Sequence, residues 1–216
     1  MADAALVPPV ARVSEPTVAP TIVAPVASPQ PIFVQAPEAP QPRGNRAAAG
    51  AIGILAALSF AALLLGAILG ISAIEGKLDG AEIGSLILDT VLSPAFWVPV
   101  VVFFVAFWLL GAIINRGRWG HWVIFGILVG AASYGGFLLG QLINAPFWEI
   151  TSAEGATLVE QNLFAPLAIA SFIFGRELTI WFGAWVAKRG KRVSELNVES
   201  LREYERTLEA GPQLAR

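Results

Sequence analysis

The chain contains no cysteine and a single histidine. Without cysteine there are no disulfides, no thiolate catalysis and no cysteine-ligated zinc, and the redox compartment cannot be read. His121 stands alone, without clustered carboxylates, and so makes no metal site. Charge is also scarce, with 14% charged residues and a net charge of −2. No basic balance therefore points to nucleic acid. There is no phosphate-binding loop, dinucleotide fingerprint or zincin pattern. Ser133 lies in AASYG, one residue short of a G-x-S-x-G elbow and in a helical context rather than a strand–turn–helix. His121 is about 18 Å from it along the same helix, too far for a dyad. The expectation is a non-enzymatic chain with no catalytic residue, no cofactor and no metal.

What the chain has instead is apolar length. Hydrophobic residues make up 56% of it, and its mean hydropathy is +0.66, which is membrane-protein composition. Four runs, residues 47–74, 94–114, 122–144 and 164–187, are each long enough to cross a hydrocarbon core about 30 Å thick. The expected fold is all-α, an integral membrane four-helix transmembrane bundle. The Ala-, Val-, Gly- and Pro-heavy usage suits a bacterium of high GC content.

The flanks differ from the spans. Residues 1–46 hold ten of the fifteen prolines and are expected to form a disordered, partly polyproline-II cytoplasmic tail. Pro37 and Pro40 spell P-x-x-P, which reads as part of a solvated spacer. No basic stretch precedes an apolar core at the amino terminus, so no cleaved signal is expected. Residues 81–92 put apolar positions on one helical face and suit a short interfacial helix. Residues 145–163 read as an acidic loop. Residues 188–216 combine a basic cluster with an amphipathic helix over 194–210, started by Ser194 as N-cap and stopped by Gly211 and Pro212.

Basic residues gather in three segments: Arg43 and Arg46; Arg116 and Arg118; and Lys188, Arg189, Lys191 and Arg192. The positive-inside rule puts these segments, and both termini, on the cytoplasmic side of the cell (inner) membrane. Arg116, Arg118, Lys188, Arg189, Lys191 and Arg192 are the expected contacts to lipid headgroups.

The fourth run carries Arg176 and Glu177 near its middle. A charge at that depth costs at least about 2.5–3.5 kcal/mol by insertion scales, so it needs a partner. Gly126, Gly130, Ser133, Gly140 and Gln141 share one face of the third run. Ser171, Gly175, Thr179 and Gly183 form a four-residue series on the fourth. Such faces let membrane helices approach closely. The two runs are expected to pack through them, with Arg176 held by Tyr134 and Ser133. The polar set Arg176, Glu177, Ser133, Tyr134 and Gln141 then supports one of two functions. One is a scaffold or accessory subunit that associates with further copies or another membrane protein. The other is a small transporter or channel subunit with Arg176 and Glu177 on a polar pathway.

Overall fold

The computed structural model describes residues 37–77, 80, 82–146 and 148–211. The expectation of a disordered tail falls mostly on residues 1–36, outside the described residues, as does Pro212. Among the described residues there are six helices and no strand: α1 (Arg46–Ile74), α2 (Ile83–Leu92), α3 (Pro94–Ile114), α4 (Trp119–Asn144), α5 (Ser152–Asn162) and α6 (Pro166–Ala210). Four of them, α1, α3, α4 and α6, are long and apolar enough to cross a membrane.

These four close into a ring in which α1 and α4 each pack against both α3 and α6. Large apolar side chains such as Ile54, Leu58, Val101, Ile124 and Leu128 point outward and stay exposed, an arrangement suited to hydrocarbon rather than water. Inside, an aromatic ladder links three helices. Phe60 stacks on Phe103 at 4.8 Å, and Phe107 meets Trp122 at 5.2 Å. Apolar burial gains little when the surroundings are lipid, so close contact between these rings, rather than removal from water, holds the interior together.

α3 begins where the residue types demand it. Pro94 occupies the first turn, where its missing N–H costs nothing, and the Ser93 hydroxyl accepts from the Ala95 amide at 3.1 Å. The helix continues through Pro99, which is buried against Gly136 and Gly140 of α4.

Two expectations are corrected. The stretch 145–163 is not all loop, because α5 occupies eleven residues of it. Its start is a capping box: Glu154 accepts from the Thr151 amide at 2.7 Å and hydroxyl at 2.8 Å, and the Glu154 amide donates back to Thr151 Oγ1 at 3.3 Å. The T-x-x-E signature was present in the sequence. The fourth span and the terminal helix are also not separate, since α6 runs unbroken for 45 residues, about 67 Å. Ser194 lies inside it and caps nothing. Gly190, within the basic cluster, is a packing residue: a Cβ there would lie 3.2 Å from Arg116 Cα. α6 ends at Gly211, whose φ of 68° suits glycine.

α4 and α6 meet through their small residues. A Cβ on Gly175 would stand 2.8 Å from Ser133 Cβ and 3.3 Å from Gly130 Cα. Gly175→Ala is expected to cost about 1–3 kcal/mol through overpacking, measured by denaturant unfolding in mixed micelles. Ser133→Gly in the same chain removes the opposing Cβ and should restore most of that loss.

The bonds from Thr151 hold the Glu154 carboxyl below its ordinary value of 4.5, the backbone amide contributing most. A lowered folded value means the stabilisation is complete above the unfolded value and lost as pH falls through the folded one. Amide protection at Glu154 and Gly155 should therefore drop on acidification below about pH 4.5. Glu154→Gln should remove that pH dependence.

Candidate functional site

α6 presents Arg176 about 15 Å from its start at Pro166 and about 18 Å from Lys188, by helical rise. This is close to the middle of the span. On one side of the helix Ser171, Gly175, Thr179 and Gly183 are buried against α4. Gly126 faces Thr179, Gly130 faces Phe172 and Arg176, Ser133 faces Gly175, and Trp122 lies on Gly183. Gly140 belongs to a different contact, against Ala95 and Pro99 of α3.

The expected grip on Arg176 is not what forms. Tyr134 donates to the Leu163 carbonyl at 2.7 Å, satisfying an acceptor at the end of α5 that has no helical donor. Ser133 donates to the Val129 carbonyl, one turn back on its own helix, at 2.8 Å. Both residues lie near the right level, but their hydrogen bonds are spent elsewhere. Gln141 is eight residues beyond Ser133, about 12 Å farther along α4, and does not join the set. Instead, Arg176 Nη1 donates to Glu177 Oε1. Adjacent residues stand about 100° apart around a helix, a gap that these two long side chains close.

That pair looks outward. The side chains are 38% and 46% exposed. Glu177 falls in the four-residue series Ile169, Ile173, Trp181 and Trp185, all exposed. Close packing over Gly130, with a Cβ there only 3.2 Å from Arg176 Cβ, leaves no room for the guanidinium in the seam. Of the five N–H groups of a guanidinium, the one bonded to Glu177 is the only one with a partner among the described residues.

The basic end of the ring is organised by a residue the sequence reading passed over. Asn45 is fully buried. Its amide nitrogen donates to the Asn115 carbonyl at 3.2 Å and the Val186 carbonyl at 3.0 Å, and its backbone N–H donates to Asn115 Oδ1 at 3.1 Å. One side chain thus ties the entry to α1, the α3–α4 turn and α6 together. Asn115 takes a positive φ of 51°, a conformation asparagine tolerates better than most residues. Farther along α6, Asn197 exchanges two hydrogen bonds with the backbone of Arg43, at 2.9 and 3.0 Å. The only advance signal was asparagine directly before arginine at both boundaries, Asn45-Arg46 and Asn115-Arg116. Arg116, Arg118, Lys188, Arg189, Lys191 and Arg192 all remain exposed around this junction.

No family model, curated protein or solved structure matches the chain.

Asn45→Ala removes two buried donor contacts and should cost about 1–3 kcal/mol, read as a lower melting temperature in detergent. Asn45→Asp, which sets a carboxylate against two carbonyls, should lower it further.

Proposed function

We propose that this chain is a non-enzymatic subunit of a membrane assembly, acting by association with a second copy or another membrane protein. The observation that carries this reading is the partly exposed Arg176–Glu177 pair, with Glu177 on the exposed stripe of α6. Hydrocarbon offers no acceptor for the remaining guanidinium N–H groups and no donor for the carboxylate. A polar neighbour at the same depth supplies both. A second copy related by a two-fold axis is self-complementary here, because each arginine then meets its counterpart's glutamate. The same outward position speaks against a polar pathway within one chain, so a transporter or channel reading requires several chains around the pair. By the positive-inside rule, the basic end and both termini lie on the cytoplasmic side of the cell (inner) membrane.

The test is the mass of the protein extracted from its own membrane into lipid discs, with wild type beside Arg176→Leu. The expected result is a higher-mass species that the variant loses. Because the chain has no cysteine, Ile173→Cys gives a unique thiol on the same stripe and should form a covalent cross-link in the membrane. Leu128→Cys, on the exposed face of α4, should not. Identical monomers in both discs and no cross-link at position 173 overturn the proposal.

A further inference from the structure

Between the α3–α4 turn and α6 lies a cleft of about 580 Å3, bordered by Arg116 and Arg118 from the turn and by Lys188 and Lys191 from the helix. Four cations from two segments border one concavity. Only Lys191 has a carboxylate nearby, Glu195 at 4.0 Å, and both of those side chains are largely exposed. Arg116, Arg118 and Lys188 have no ion-pair partner among the described residues.

Two further features separate this cleft from a merely basic surface. First, its two walls are fixed to each other. Asn45 bonds both the Asn115 carbonyl and the Val186 carbonyl, and Gly190 lets the backbone of Arg116 sit directly against α6. The positions from which the cations project are therefore set before any ligand arrives, which lowers the cost of binding. Second, the cleft continues into the apolar zone. Ala184 and Ala187 line it toward the span. Trp119, also on its wall, donates from its indole N–H to the Ile180 carbonyl at 3.2 Å and so lies along α6 on the membrane side of the cations. Trp185, one turn before the cations on α6, is exposed at the level where tryptophan favours the headgroup boundary.

We infer that this cleft is a binding site for an anionic glycerophospholipid whose headgroup carries at least two negative charges. The phosphates sit among Arg116, Arg118, Lys188 and Lys191, and an acyl chain runs along Ala184 and Trp119. A singly charged headgroup would leave most of the four cations without a counter-charge, and a soluble phosphate would leave the apolar part of the cleft unfilled. The inference is independent of the subunit reading, since it uses neither Arg176 nor Glu177.

The full-length protein is titrated in zwitterionic phosphatidylcholine discs with cardiolipin, with phosphatidylglycerol at equal total charge, or with soluble pyrophosphate. Bound lipid is counted by native mass spectrometry and affinity followed by tryptophan fluorescence. Cardiolipin should bind most tightly. A juxtamembrane cation near an anionic surface contributes about fivefold in affinity. Arg116→Ala with Lys188→Ala should therefore weaken binding about thirtyfold. Arg43→Ala with Arg46→Ala removes the same charge from the same end of the ring but outside the cleft, and should change it less than threefold. Lys188→Ala with Lys191→Ala, which leaves the turn untouched, should reproduce the loss if the first variant folds poorly. Equal losses from the cleft and off-cleft pairs, or equal binding of phosphatidylglycerol, overturn the inference in favour of diffuse surface charge. Pyrophosphate binding as tight as cardiolipin overturns the lipid assignment.

Discussion

Everything in this molecule depends on how closely α4 and α6 approach. Where Gly130, Ser133 and Gly175 meet, a Cβ added to either glycine would collide with the facing helix, and the Ser133 side chain fits only because it faces a glycine. In hydrocarbon, helices gain little from hiding apolar surface from one another, so contact density must replace the driving force that water supplies. The seam does so by bringing backbones together. Bulky groups are kept off it: Trp122 is admitted only because Gly183 and Gly111 make room on either side. Arg176 is turned out of it altogether.

The basic end solves a different problem. Three chain segments converge there at a boundary where backbone polar groups leave the regular ladder, and orphaned carbonyls near lipid are costly. Asn45 meets this cost at the Asn115 carbonyl, where α3 ends; the same amide reaches the Val186 carbonyl inside α6, and its backbone N–H donates to Asn115 Oδ1. The turn is thereby held against α6, and Arg116 and Arg118 project from a fixed base.

The four spans were legible because a long, predominantly apolar run suits a helix across a bilayer, even where, as in the fourth, it carries one pair of charges. The packing face was legible for the same reason: small residues three and four apart have no other use on a span. Helix ends and partners were harder to read. α5 was signalled by Thr151 and Glu154, but the weight given to its acidic composition concealed the capping box. The continuity of α6 was hidden by the change from apolar span to basic cluster at Lys188 and by Ser194, which has the residue type of an N-cap; Gly190 between them answers to a neighbour 74 residues earlier, Arg116. The hydrogen bond from Tyr134 to the Leu163 carbonyl could not be anticipated, because it depends on where α5 ends. Depth along a helix can be counted from sequence, but the rotamer that decides which partner is met cannot.

Because α6 is one helix, the direction of its midplane pair also determines the direction of its basic residues. Eleven residues separate Glu177 from Lys188, and at 100° per residue they stand about 20° apart around the axis, roughly 16 Å apart along it. Trp181 and Trp185 lie between them on the same exposed side. A neighbour that covers Glu177 and follows this stripe toward the basic end arrives beside the cleft bordered by Lys188. Glu177 of the span and Lys188 of the collar thus lie on one face of a single rod. A break at Gly190 would have uncoupled the collar and the extension beyond it. The absence of a side chain at that position lets the α3–α4 turn pack against the unbroken helix.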